Sequence, residues 1–185
     1  EDEYRDLTRE LGGTYLDLLS GKYIINILQP KVWHDDSDDA DDLDCPEAFQ
    51  KSTRLSQHIA FLKDFFRSYK DFNDAQIDTI EILLTKLYAK FGITDTTDYA
   101  KMKPTDYPIM EDFYKLCEEE FMTYDRQRKY LYTEETLQEV CLGIHSMCVG
   151  AEYKYFNGHT NIVDDAFVVF GVKGLMDSNK RLKDA

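Results

Sequence analysis

Two thiols and an imidazole on one predicted helix are the residue types best suited to bind a metal. Cys141, His145 and Cys148 follow each other at i, i+4 and i+7, which places them along one helix face. Zinc takes such ligands, usually four of them. The fourth would have to be Cys117, His58 or His159, and none of these adds a known motif. Small buried thiols beside a hydrogen-bonded histidine are the simpler interpretation, so we predict no metal site.

Phosphate-binding glycines are missing from the chain. The pair Gly21-Lys22 is followed by Tyr23 and lacks the upstream glycine of the P-loop pattern GxxxxGK[ST]. No apolar run ends in Asp-Glu as a Walker B strand would, and the GxSxG nucleophile motif does not occur. We therefore predict that this chain contains no catalytic residue and does not turn over ATP by itself.

An aspartate-rich tract spans 35–44, where seven of the ten residues are Asp. A calcium-binding EF-hand loop also needs a turn glycine and a terminal glutamate, and the tract has neither. Mutual repulsion of the carboxylates favours an extended, solvated segment, so we predict a flexible acidic loop over 31–45.

Charge and composition exclude several functional classes. The 22 Lys and Arg against 36 Asp and Glu give a net charge of −14. A chain this acidic is poorly suited to bind duplex DNA or an anionic membrane surface by itself. The sequence contains no apolar run long enough to span a bilayer and no secretory signal. Its four cysteines form no CxxC pair, which is typical of a reduced, cytoplasmic protein.

Hydrophobic periodicity predicts the elements that carry these residues. A short helix over 1–11 precedes two β-type runs at 14–18 and 23–28. Four amphipathic helices then fill 46–157, with Asn73 and Thr133 as N-caps and Pro108 as a helix start. The apolar run 166–172 reads as a buried strand, followed by the start of a final helix. These patterns predict a mainly α fold, with a helical bundle inserted between two end segments of α/β character that come together.

Seven short segments of the chain stand out together: EDEYRDL (1–7), LGGTYLDL (11–18), SG (20–21), INIL (25–28), PIMEDFY (108–114), YFNGHTNI (155–162) and FVVFGVKGL (167–175). In this order they resemble the motor ATPases of type IV secretion and conjugative transfer, namely the fourth VirB component and its TraC/TraE-like and conjugative-transposon relatives. They match the stretch that follows the Walker A helix, a helix start, a "T-N" return and a core strand. Gly171 stands where that strand usually has Asp, which points to a divergent branch.

The resemblance implies an internal segment of such an ATPase, with Walker A before residue 1 and Walker B after residue 185. It implies pieces of a RecA-like core at 1–30 and 158–185, with an all-α appendage over 46–157 between them. ATP and Mg²⁺ would bind in the parent protein and not in this chain. Of the residues present, Glu1 and Glu3 would lie nearest the nucleotide, and we keep Glu3 as the candidate binding residue beside its simpler interpretation as a first-turn helix acid.

The same resemblance implies self-association, contacts with other secretion-channel proteins, and a position at the inner face of the cell membrane reached through those partners. The alternative, from a different class, is a free-standing helical binding or regulatory module without enzyme activity. The segments flanking this chain in its gene would distinguish the two.

Overall fold

The computed structural model describes residues 2–17, 22–30, 47–127, 130–162 and 168–171. The predicted acidic loop and the predicted final helix lie outside these residues, as do positions 166, 167 and 172 of the apolar run 166–172. The elements, in chain order, are α1 (Asp2–Glu10), β1 (Thr14–Asp17), α2 (Glu47–Lys70), α3 (Asp74–Lys90), α4 (Met110–Met122), α5 (Glu134–Cys148), α6 (Tyr153–Phe156) and β2 (Val168–Gly171), with short 3₁₀ turns at Tyr99–Lys101 and Pro104–Asp106.

Local hydrogen bonds start the helices of the bundle. Asn73 and Gln76 form a reciprocal capping box at the start of α3. The Thr133 hydroxyl accepts from the Thr136 N–H at the start of α5. Both caps confirm the sequence prediction, because such bonds depend only on residues within one turn of each other.

The bundle core is built from the inward faces of α2 to α5. Aromatic rings dominate it: Phe66 of α2 contacts Phe72 and Phe113, with ring centroids 6.5 and 6.0 Å apart. Phe65 extends this cluster to Phe156 of α6 at 5.9 Å. Burial of these rings and of the aliphatic stripes of α3 and α5 is the main source of the bundle's stability. The mainly α prediction is confirmed.

The two ends of the described chain meet in a parallel strand pair. Strands β1 and β2 run in register from Thr14 opposite Val168 to Asp17 opposite Gly171. Leu16 of β1 is fully buried, and α1 packs beside both strands. The prediction that the two end segments come together is confirmed over the described residues, with the whole bundle inserted between the strands.

Three local predictions are wrong. Residues 23–28 form no strand. The segment that faces them bonds to their backbone mostly through its side chains, so no ladder of backbone hydrogen bonds forms. Helix α4 begins at Met110, since Pro108 stays outside it with its carbonyl oxygen bonded to Asn26. Helix α5 stops at Cys148 and does not continue to Tyr155, because the Gly150 N–H bonds to the His145 carbonyl five residues back, where a continuing helix would bond to the Ser146 carbonyl.

Candidate functional site

The predicted site residues are not brought together as a catalytic or metal centre. Glu3 lies in the first turn of α1, and its side chain is outside the described part of the structure. On α5, Cys148 is buried whereas His145 is exposed and packs edge-on against the Tyr114 ring at 5.8 Å. Among the described residues no three His, Cys, Asp or Glu side chains are grouped so that they could hold a metal.

The three described cysteines are free thiols that lie between α4 and α5. Burial raises the pKa of Cys148 to about 12 and raises the pKa of Cys117 well above the ordinary thiol range. The hydrogen bond from Cys117 lowers the pKa of the half-buried Cys141. Cys141 is therefore the described thiol with the strongest thiolate character, whereas its two neighbours behave as small apolar groups.

The structure instead brings together the "I-N" and "T-N" segments of the sequence. The Asn161 side chain accepts from the Ile24 N–H at 2.7 Å and donates to the Lys22 carbonyl at 2.9 Å, while its own N–H donates to the Ile24 carbonyl at 3.2 Å. The Asn26 N–H donates to the Thr160 hydroxyl at 3.1 Å. We call the two segments 22–30 and 157–162, held together by these bonds, the junction.

The junction is also bonded to the bundle. The buried Asn26 amide donates to the Pro108 carbonyl at 2.8 Å, at the start of α4, and accepts from the Leu28 N–H at 3.1 Å. The Tyr88 hydroxyl of α3 donates to the Leu28 carbonyl at 2.7 Å. Leu28 itself is fully buried within the bundle core. The junction is thus hydrogen-bonded to the bundle at α3 and just before α4.

Two further contacts complete the junction. On α2, the His58 imidazole lies against the backbone of Leu28 and Ile27, with its buried Nε2 atom lacking a hydrogen-bond partner among the described residues, and its burial lowers its pKa to about 4. On the other side, the Asn157 side chain accepts from the Glu111 N–H in the first turn of α4 at 2.9 Å. Helices α3 and α4 are therefore hydrogen-bonded to the two segments through which the chain enters and leaves the bundle, and α2 packs against them through His58.

A second feature is a groove of about 670 Å³ between α4 and α5. We call it the α4–α5 groove. Two large apolar side chains line it while remaining mostly exposed, Met122 at 82% and Leu142 at 76%. Glu118 and Glu139 are the carboxylates of its lining. Its other lining residues include Tyr114, Phe121, Cys141 and His145.

Sequence reasoning missed both features for different reasons. The "I-N" and "T-N" segments were identified, but nothing in their spacing says that they bond to each other across more than a hundred residues. The groove gave a weak local signal: Leu142 falls off the apolar stripe formed by Leu137, Ile144 and Cys148, so an exposed position was foreseeable. Nothing in the sequence indicated that Leu142 faces a neighbouring helix.

The fold defines a class of protein: a helical bundle inserted between two chain segments that return to pair as parallel strands. The solved structure of VirB4 of Thermoanaerobacter pseudethanolicus has this fold, with a TM-score of 0.77 and 24% sequence identity over 99% of this chain. The chain spans 43% of the length of that VirB4 chain. The likeness establishes the fold. VirB4 is also a member of the family that the sequence motifs resemble.

Comparison with protein-family models gives no match. Comparison with curated protein sequences gives none either. None of the described helices is long and apolar enough to cross a membrane.

Proposed function

We propose that this chain is a segment of a type IV secretion ATPase of the VirB4 kind, in which the bundle forms an appendage on a RecA-like nucleotide-binding core. The observation that carries the proposal is the likeness of fold to VirB4 over 99% of the chain. The order of the resembling segments supports it, because the "I-N" and "T-N" segments that the family pattern requires are the ones that form the junction.

We propose that no nucleotide binds to this chain itself. The glycines with positive φ angles among the described residues, Gly12, Gly92 and Gly158, are far apart in the sequence and do not form one glycine-rich loop. ATP and Mg²⁺ are therefore proposed to bind in the parent protein, through residues outside this chain, and no catalytic step is assigned to it.

The junction gives the bundle a way to follow movements of the core. The two segments of the junction are bonded to each other and to two bundle helices, α3 and the start of α4. A displacement of either segment would therefore be passed to these helices. We propose that the bundle acts in this way as an interaction and regulatory appendage, displaced by the core to which it is joined.

Reading the gene beyond this chain tests the proposal most directly. A Walker A motif is expected within about 60 residues upstream, and a Walker B strand downstream, since a strand and P-loop helix must precede this block. The parent should hydrolyse ATP and lose turnover when its Walker A lysine is replaced, whereas the purified 185-residue chain should show none. An open reading frame that encodes these residues alone would instead favour the free-standing helical module.

Glu3 is the residue of this chain that we propose to lie near the parent's nucleotide. In the parent, Glu3→Gln is then expected to lower ATP turnover, and Glu10→Gln, at the exposed end of the same helix, serves as the matched control. Equal turnover in both variants would leave Glu3 as a first-turn helix acid that favours the positive end of the helix dipole.

The proposed partners are further copies of the parent and proteins of the secretion channel, at the inner face of the membrane. Direct binding of duplex DNA by this chain is not expected at a net charge of −14. A salt-sensitive shift of duplex DNA by the purified chain near neutral pH would contradict that expectation.

A further inference from the structure

The α4–α5 groove exposes apolar surface that the bundle itself does not use. Met122 near the end of α4 and Leu142 on α5 are among the most exposed large apolar side chains that the structure describes, and both line the groove. Phe121 and Tyr114 lie half-buried along its floor and continue this surface. Contiguous apolar surface of this kind on a soluble protein marks an interaction site more often than isolated exposed residues do.

The carboxylates among the described residues of the groove are Glu118 and Glu139. None of the described residues that line the groove is a lysine or arginine. One carboxylate oxygen of Glu139 accepts a hydrogen bond from the Gln76 amide at 2.8 Å. The lysines on the neighbouring faces of α3 and α4 are already engaged with other carboxylates: Lys86 with Glu120, Lys90 with Glu119 and Lys115 with Glu111. An occupant with positive charges at its edges would therefore complement the groove.

The dimensions of the groove match a short helix. It extends along α4 from Tyr114, opposite His145, to Met122, which at 1.5 Å per residue is about 12 Å. That length corresponds to a little more than two helical turns. An amphipathic helix lays apolar residues at i, i+3, i+4 and i+7 into such a groove over the same distance.

We propose that the α4–α5 groove binds a basic amphipathic helix of another protein, with apolar side chains seated between Leu142 and Met122 and lysine or arginine side chains beside Glu118 and Glu139. The inference rests on the proposed role of the bundle as an interaction appendage. Its test involves neither ATP nor the parent protein, so that its failure and the failure of the ATPase assignment can be told apart.

The probe is a fluorescent helical peptide of about 18 residues, with leucines at i, i+3, i+4 and i+7 and lysines on the remaining positions. Fluorescence anisotropy with the 185-residue chain should show saturable binding that weakens as salt increases. A second peptide with glutamate in place of lysine should bind at least about tenfold more weakly, which corresponds to about 1.4 kcal/mol. Amide chemical shifts that change on binding should fall on α4 and α5.

Matched variants locate the site. Leu142→Ala should weaken binding of the lysine peptide at least about fivefold, whereas Leu11→Ala, which truncates a leucine of similar exposure beside α1, should leave the affinity within about twofold. Reversing the two carboxylates, Glu118→Lys with Glu139→Lys, should reverse the preference between the two peptides. Replacing Asp38, Asp39, Asp41 and Asp42 by Asn should leave the affinity within the same limit.

Three outcomes would overturn the proposal. Affinity that is lost in the Asp→Asn variant but kept in Leu142→Ala would place the peptide on the acidic tract. Sedimentation that shows a dimer of this chain, dissociated by Leu142→Ala, would make a second copy the occupant of the groove. Binding that leaves the resonances of α4 and α5 unchanged would refute the site in the same way.

Discussion

The side-chain amide of Asn26 donates a hydrogen bond to the Pro108 carbonyl oxygen at 2.8 Å, between residues that are 82 positions apart. Asn26 is 2% exposed, so this bond is closed to water. The same side chain accepts from the Leu28 N–H, and the Asn26 backbone N–H donates to Thr160. One buried residue therefore joins the segment that enters the bundle to two others: its backbone N–H bonds to the segment that leaves the bundle, and its side chain bonds to the residues just before α4. Its effect on stability is accordingly the first prediction.

Asn26→Ala should lower the free energy of unfolding by about 2 to 3 kcal/mol, because the Pro108 carbonyl and the Leu28 N–H would both be left buried without partners. Urea titration followed by circular dichroism measures the loss. Gln127→Ala, which truncates an exposed amide in a surface turn, is the control and should change stability by less than about 0.5 kcal/mol. A similar loss of unfolding free energy in both variants would show that the buried hydrogen bonds of Asn26 stabilise the fold no more than an exposed amide does.

Gly143→Ala should destabilise the bundle even though alanine favours a helix by about 1 kcal/mol over glycine. A Cβ atom at this position of α5 would lie 2.4 Å from two ring carbons of Phe72, so the ring or the helix must move, at a cost of about 1 to 3 kcal/mol beyond the gain in helix propensity. Thermal unfolding measures the difference.

Phe72→Leu separates this clash from other effects of the alanine. In the Phe72→Leu background, Gly143→Ala should cost less than in the wild-type background by at least about 1 kcal/mol, because the smaller side chain leaves room for the methyl group. Equal costs in the two backgrounds would refute the close approach of Phe72 to Gly143.

His58 should make the bundle less stable in mild acid. Its pKa is lowered to about 4 in the folded chain, chiefly by burial, so between about pH 6.5 and pH 4 the unfolded chain binds the proton that the folded chain refuses. The stability is complete above about pH 6.5 and falls as the pH drops through that range, by up to about 3 kcal/mol.

The variant His58→Gln isolates this contribution from that of the carboxylates. Subtracting the unfolding free energies of the variant from those of the wild type at each pH should give a curve that declines from pH 7 to pH 4. A flat difference curve would show that the imidazole is not buried in solution as it is beneath Leu28 and Ile27.

The cysteines should react with iodoacetamide in a fixed order. In a Cys45→Ser variant, Cys141 should be alkylated first, because the Cys117 hydrogen bond lowers its pKa and its side chain is half-exposed. Cys148, with a pKa raised to about 12, and Cys117 should react only when the bundle opens. Peptide mass spectrometry against time measures the order, and labelling of Cys148 as early as Cys141 would contradict the packing of α5.

The sequence by itself determined the features that depend on neighbours within one or two turns. The capping box of Asn73 and Gln76 and the cap at Thr133 were predictable because both bonding partners are close along the chain. The apolar stripes of the helices were predictable for the same reason. That the two end segments come together was predictable because the apolar run 166–172 would otherwise be exposed, although the sequence left open which run would pair with it.

Tertiary structure decided which of several possible partners each group received. Residues 23–28 have the composition of a strand, but the chain segment that reaches them offers Thr160 and Asn161 side chains, so they form a junction and not a ladder. Cys141, His145 and Cys148 share a helix face, yet packing against α4 buries one thiol and leaves the imidazole in solvent. Helical periodicity fixes which residues share a face, whereas only the neighbouring helices determine which side of that face is covered.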